Sequence, residues 1–354
     1  MRLGFAYDDI FLEHGHDSMP EAPRRLRAIR AHLEATGWLE ELTPASFEPA
    51  QPEEVAWVHD PEYVEEVALL CRTGGGRLDF DTEATPRTYE AALAAVGACM
   101  TAARKVLTGH LDVAFCAIRP PGHHALPARG MGFCFFNNAA LAAEAALRQG
   151  AERVAILDWD AHHGNGTQEI FYHRGDVLYM SIHQAYRLGG GGLFYPGTGT
   201  VDEIGVDAGL GKTINVPLPA GAGDEEYAQA FEQVFVPAIE IHAPDIIIVS
   251  AGYDAHHADP IAEMNLSTQA FHRLTRIVTQ VAETTCDGAV VFVLEGGYNT
   301  EALACSVEQT LRALASQPPS GDRDEPPPVL PVHQAAVRRY LDHAIEMHKS
   351  RLGL

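Results

Sequence analysis

The sequence predicts an α/β protein with one predominantly parallel sheet and helices on both faces. Short apolar runs alternate with longer stretches of helical periodicity, the pattern of successive βαβ units. One run, Ile246, Ile247, Ile248 and Val249, is apolar at every position, as a strand covered on both faces must be. Polar residues follow several of the runs, always on the C-terminal side. In a parallel sheet those ends share one edge.

Taken in order, residues 3–7 read as a strand and 8–21 as a polar loop rich in His and acid. Pro23 starts a helix whose Leu26, Ile29 and Leu33 share a face, and Gly37 ends it. A second helix spans 62–72 and is closed by Gly74, Gly75 and Gly76. The helix over 89–107 is rich in small residues, which suits close packing on a sheet. A strand over 113–118 runs into Arg119, Pro120, Pro121, Gly122, His123 and His124, and a helix follows over 138–148. Next come a strand over 154–157, a helix over 166–172, a strand over 177–182 and a glycine-rich loop over 189–199. The alternation closes with strands over 213–218, 246–249 and 289–294 and helices over 225–242, 268–283 and 300–316. Residues 317–331, rich in Pro and charge, read as an extended connector. An amphipathic helix over 334–351 is suited to dock on the core or to serve a partner. The expected organisation is a catalytic domain over 1–316, the connector, and residues 332–354 packed on or beside that domain.

The 354 residues include 25 Lys and Arg against 48 Asp and Glu, a formal charge of −23, which argues against binding nucleic acid or an anionic membrane. The hydrophobic fraction of 46% supports a large core. Six scattered cysteines without a Cys-x-x-Cys pair point to buried thiols rather than disulfides. The N-terminus turns polar too early for a signal peptide, and no run has the length of a membrane span. A soluble cytoplasmic protein is expected, with homo-oligomer formation left open.

The strand over 154–157 delivers Asp158, Asp160 and His162 at alternating positions, which in extended chain point to one side. Carboxylates and imidazole together make a divalent-cation site with room for water, and Asp160, His162 and Asp254 fit catalytic zinc. A lone Asp after a strand is more often a helix cap, but the Asp-x-Asp-x-His run with a neighbouring His pair is not so explained. His163 should point away from the metal if His162 points toward it. His123 and His124 follow a stiff Pro-Pro-Gly turn, where an imidazole beside activated water can shuttle protons. Tyr298 follows two glycines, and a phenol there can donate to a developing oxyanion. Phe133 and the stretch over 194–197 could wall a narrow apolar approach. His14, His16, His59, His256 and His257 border the entrance or, as the plainer expectation, lie on the surface.

Read together, the Arg-Pro-Pro-Gly-His-His run ending at His124, the segment over 132–138, the run from Leu157 to Gly166, the Tyr-Pro-Gly-Thr-Gly run from Tyr195, the Ser-Ala-Gly-Tyr-Asp run ending at Asp254 and the Leu-Glu-Gly-Gly-Tyr run ending at Tyr298 resemble the zinc-dependent histone deacetylase family. The class II branch and the bacterial acetylpolyamine amidohydrolases are the most similar versions. The resemblance implies an arginase–deacetylase fold with an eight-stranded sheet. It implies zinc on Asp160, His162 and Asp254, and tandem His123 and His124 backed by Asp158 and Asn165. It implies Tyr298 as the carbonyl-polarising phenol, Phe133 and Tyr195 as tunnel walls, Gly132 as a substrate contact and Ile261 as the rim position. A structural potassium ion is implied on Asp158, Ser181 and Ile182, with the backbone of Asp160 and His162. Asn165 stands where class I enzymes have Asp, and Tyr195 replaces the common Phe.

The implied reaction is hydrolysis of an N-acylated lysine side chain or a related acylated amine by metal-activated water. An acetylpolyamine substrate is the alternative. Ile261 in place of Glu and the short segment over 74–88 favour the acyl-lysine type. More distant alternatives are a binuclear manganese ureohydrolase and a binding protein that has lost its chemistry. Physiological substrate, acyl length and the choice among Zn²⁺, Fe²⁺ and Co²⁺ are not encoded in these motifs.

Overall fold

The computed structural model describes residues 1–187, 192–321 and 324–353. Gly189, Gly190 and Gly191 of the expected glycine-rich loop, Asp322 and Arg323 of the connector, and Leu354 lie outside the described residues. The first half of the chain folds as β1 (Leu3–Ala6), α1 (Arg24–Ala35), α2 (Trp38–Glu41), β2 (Thr43–Pro44), α3 (Pro52–Val55), α4 (Pro61–Arg72), β3 (Gly76–Arg77), β4 (Glu83–Ala84), α5 (Thr88–Leu107), β5 (Val113–Cys116), α6 (Asn138–Arg148), β6 (Val154–Asp158) and α7 (Asn165–Phe171). The second half adds β7 (Val177–Tyr186), β8 (Thr213–Pro219), α8 (Asp224–Ala230), α9 (Val236–His242), β9 (Ile246–Ala251), α10 (Thr268–Thr285), β10 (Val290–Leu294), α11 (Thr300–Leu314) and α12 (Pro331–Leu352).

Eight strands form one all-parallel sheet in the order β2-β1-β5-β10-β9-β6-β7-β8. The expected α/β class with eight strands is therefore what the chain adopts. The central four, β5, β10, β9 and β6, are the ones whose C-terminal ends carry the polar motifs. Their register is level: Val290 pairs with Val113 and Ile247, and Asp158 pairs with Ser250, so the polar ends emerge at one height. Every residue of these four strands is buried, which explains why they are apolar up to the polar Asp158 and Ser250 at the C-terminal ends of β6 and β9.

Local chemistry sets the helix boundaries. Asp60 caps α4 by accepting from Glu62 N, and Pro61 takes the first helical position, where no N–H is needed. Ser267 and Asn299 cap α10 and α11 in the same way. The helix expected over 225–242 is interrupted by one π turn, Phe231–Phe235, between α8 and α9. Pro237 lies just beyond it; it has no N–H, and its ring crowds the carbonyl of the preceding turn, so the helix widens there. β7 runs on to Tyr186, past the expected end at 182, and α2, β2 and α3 are too short to leave a period in the sequence.

β8 lies at a sheet edge and contains Pro217 and Pro219, which cannot donate to a further strand. α12 packs against it through buried Val337, Leu341, Ala344, Ile345 and His348. His348 Nε2 donates to the Asn215 carbonyl of β8 at 2.7 Å, and the Tyr340 ring lies 5.0 Å from that of Tyr186. All six cysteines are free thiols, four of them buried. Among the described residues no helix is long and apolar enough to cross a membrane.

Candidate active site

Asp160, His162 and Asp254 meet just beyond the ends of β6 and β9. Their ligand atoms lie within 4.8 Å of one another, and all three residues are buried. His162 Nδ1 is 3.0 Å from Asp160 Oδ1 and 2.9 Å from Asp254 Oδ2. Backbone donors fix both carboxylates: Gly296 N donates to Asp160 Oδ2 and Ala161 N to Asp254 Oδ1, each at 2.8 Å. Two glycines leave room for this convergence. A Cβ on Gly252 would lie 2.1 Å from Asp160 Oδ2, and one on Gly296 would lie 2.4 Å from Asp254 Oδ2 and 2.6 Å from Asp160 Oδ2.

Two carboxylates buried side by side need a counter-charge. Among the described residues no Lys or Arg pairs with either, and only imidazoles do. Burial and the adjacent Asp160 push the Asp254 carboxyl up to about 7. Burial opposes a charge on His162, but Asp254 and Asp160 override it and hold the imidazole up to about 10. A proton on His162 thus does what a cation seated among the three donors would do. Two carboxylate oxygens and one imidazole nitrogen are a hard, borderline donor set that fits a divalent metal ion with open positions.

Asp158 does not join this trio. β6 ends at Asp158 and the chain then turns, so the alternation expected across 158–162 stops there. Its Oδ2 instead faces His123 Nδ1 at 3.0 Å and accepts from the Tyr179 hydroxyl at 3.2 Å. The His123 and His124 rings lie 4.0 Å apart at the end of the Pro-Pro-Gly turn. Burial would lower the His123 pKa, but Asp158 and Asp160 outweigh it and push it up to about 10. His124 is held well below the ordinary imidazole value by burial, then by His123 and His162. Its Nδ1 donates to Asn165 Oδ1 at 2.7 Å, so a neutral ring leaves Nε2 open.

Tyr298 faces this cluster. Its ring is 5.8 Å from that of Phe133, and both line a cavity of about 280 Å³ with His124, His162, Tyr195 and Ile261. Burial, then Asp254, raises the Tyr298 phenol well above its ordinary value, so it remains a donor. Gly132 and Phe133 both have left-handed backbone, with φ of 58° and 65°. A Cβ on Gly132 would sit 2.3 Å from His124 Cδ2, so the close approach requires glycine. The Tyr195 ring lies 5.2 Å from that of His124, and its hydroxyl is buried without a partner among the described residues.

Ser181 pairs across the sheet with Asp158, and Ile182 follows it in β7; all three are fully buried. Ser181 Oγ contacts His183 Nδ1 at 2.9 Å. His163 turns away from the trio as expected, toward Thr198 and Gln168. The plain expectation of surface histidines does not hold for His14, His59 and His256, each only 3% exposed. His14 bonds Thr88, and His59 bonds the Leu126 carbonyl and Asn137 N. His256 and the half-buried His257 both meet Asp324 of the connector at 3.0 Å.

Three supports were not read from the sequence. Arg25 of α1, fully buried, donates to the carbonyls of Gly297 at 2.6 Å and Glu295 at 2.5 Å, with its guanidinium 5.1 Å from the Tyr298 ring. Glu295 accepts from Gly122 N at 2.7 Å and is pushed up to about 7 by burial. Asp259 accepts from Tyr298 N at 2.7 Å and from Ile261 N at 2.9 Å, tying the phenol to the rim. Glu295 lies in the run ending at Tyr298 and Asp259 stands before Pro260, but neither was given a role there; Arg25 carried no pattern.

Residues 19–314 match the family described as "Histone deacetylase domain". The chain is 44% identical over 286 residues to a histone deacetylase-like amidohydrolase of Pseudomonas aeruginosa, covering 80% of this chain and 73% of that protein. It is 41% identical over 304 residues to a probable deacetylase of Archaeoglobus fulgidus, covering 85% and 82%. Among solved structures, the HD domain of HDA15 superposes with a TM-score of 0.87 at 34% identity, covering 99% of this chain and 96% of that one. The all-parallel sheet, the trio at its edge and these relatives agree, and the chain belongs to the histone deacetylase family of amidohydrolases.

Proposed function

We propose that this chain is a zinc-dependent deacylase acting on N-acyl-lysine side chains or related acylated amines. The carrying observation is the convergence of Asp160, His162 and Asp254 within 4.8 Å, with His162 lining the cavity that Tyr298 and His124 also line. These three residues would hold the ion, and when bound it supplies Lewis acidity toward an amide oxygen and toward water. Neutral His124, its Nδ1 proton on Asn165, offers Nε2 to take a proton from the attacking water. The same proton can then be returned to the departing amine. His123, charged against Asp158, contributes positive potential beside the reacting carbonyl. Tyr298 donates its hydroxyl proton in a hydrogen bond to the oxygen on which charge develops. Gly132, Phe133 and Tyr195 enclose the aliphatic arm of the substrate, with Ile261 at the rim. Asp158, Ser181 and Ile182, with the backbone of Asp160 and His162, are the residues that would hold a structural potassium ion.

The test is amine release from acetyl-lysine peptides, longer acyl-lysines and acetylated polyamines, with metal content measured on the same sample. Turnover that chelation removes and one zinc per chain restores is expected. A chain holding one zinc that hydrolyses none of these amides would refute the proposal. Two manganese ions per chain would favour the ureohydrolase reading instead.

A further inference from the structure

The mouth of the 280 Å³ cavity is lined by Phe80 and Arg187, beyond the inner residues already described. Arg187 follows β7, and its backbone N meets Gly192 O at 3.4 Å, while Tyr186 bridges Leu193. This return of the chain sets the Arg187 guanidinium 5.0 Å from the Phe194 ring, whose stacked neighbour at 4.9 Å is His162. Arg187 is exposed, and among the described residues it has no carboxylate partner. In a chain of net charge −23 an uncompensated cation at the mouth runs against the general field.

Two acidic groups stand near the cavity, and one of them is neutralised. Asp79 is paired with Arg129 at 2.7 Å. Asp81 accepts from Gly132 N at 3.1 Å and from the Thr82 hydroxyl at 2.8 Å. Ile261 contributes only an apolar surface, and Phe80, 71% exposed, presents an aromatic face beside Tyr195. A polycationic amine needs several open carboxylates along its length, and of the two acids named here only Asp81 keeps an unpaired charge. A chain with an anionic group meets a guanidinium that can grip it in two hydrogen bonds.

Resting on the deacylase reading, we infer that Arg187 selects acylated amines carrying a carboxylate close to the acyl-lysine arm and disfavours polyamines. The carboxylate could come from an acidic residue beside the acyl-lysine in a peptide, or from the α-carboxylate of free Nε-acetyl-lysine. Both present the same chemistry to the guanidinium, and the two sources separate experimentally.

The experiment compares zinc-loaded natural chain, Arg187→Gln and Arg187→Glu. The substrates are acetyl-lysine peptides flanked by Asp or by Lys, free Nε-acetyl-lysine against its carboxamide, and monoacetylated spermidine. Both kcat/KM and Kd of each are measured, at low and physiological salt. An exposed charge contact predicts a preference for the carboxylate-bearing member of about fivefold. That ratio should fall toward one in Arg187→Gln, invert in Arg187→Glu and shrink with added salt. A preference in the peptide pair alone assigns an acidic neighbour; one in the free amino-acid pair alone assigns the α-carboxylate. A ratio unchanged by Arg187→Glu in both pairs overturns the inference. Loss of turnover on every substrate with the Kd ratios intact would count against the deacylase reading and leave the charge selection standing.

Discussion

Asn165→Asp places a carboxylate where a neutral amide oxygen now stands 2.7 Å from His124 Nδ1. With charge centres about 4 Å apart and an effective dielectric of about 20, the attraction to a protonated His124 is ~4 kcal/mol before burial is counted. The buried carboxylate is itself costly, so the net rise in the His124 pKa should be about 1–3 units. That pKa is held low by burial, then by His123 and His162, so the natural enzyme keeps a neutral base through neutral pH. A raised pKa means more imidazolium at any given pH and less free base. The acidic limb of kcat/KM therefore moves upward by the same 1–3 units while the alkaline limb stays in place. The assay is a pH–rate profile on an acetyl-lysine peptide for both proteins, with zinc content and folding checked. An acidic limb that does not move, in a folded and metal-loaded variant, would remove His124 from the role of base.

Tyr298→Phe should lower kcat by about 10²–10³-fold with little change in KM, as loss of one oxyanion donor does, and steady-state kinetics reads it. Gly296→Ala should expel the metal, since the added methyl would sit 2.4 Å from Asp254 Oδ2 and 2.6 Å from Asp160 Oδ2; elemental analysis after dialysis measures the zinc left. Acid should weaken the fold through His59, buried, with its Nδ1 donating to Leu126 O at 3.0 Å and its Nε2 accepting from Asn137 N at 2.9 Å. Burial lowers its pKa to about 4 from an ordinary 6.5, so between those values the unfolded chain binds the proton more tightly and stability falls as pH falls. One such group withdraws ~2 kcal/mol at pH 5; urea unfolding at pH 7 and pH 5 tests it, and His59→Gln should flatten the difference.

The sheet's composition was legible because β5, β6, β9 and β10 are buried on both faces and so must be written in apolar residues. Their order was not. β10, last in the chain, lies between β5 and β9, and only tertiary packing decides that. The trio was legible because Asp160, His162 and Asp254 stand immediately beyond strands whose ends had to coincide. Asp158 shows the limit of period arguments, for alternation holds only while the chain stays extended, and β6 ends there. Arg25 was invisible because it sits among Arg24, Arg27 and Arg30 on a helix that reads as surface. Glu21, four residues back, pairs with it, but the carbonyls it holds lie 270 and 272 positions away, and no local pattern can announce those contacts. His14, His59 and His256 misled for the same reason, since a histidine satisfied by a group distant in sequence leaves no periodic trace.

The grip of His348 on the Asn215 carbonyl makes α12 a seal over one border of the sheet. A protein lacking that helix would offer β8 as a template to any extended segment, a second molecule's included. Pro217 and Pro219 would blunt the pairing without preventing it. Removal of residues beyond 330 should thus show itself first as self-association in sedimentation, before any change in how the buried catalytic groups behave.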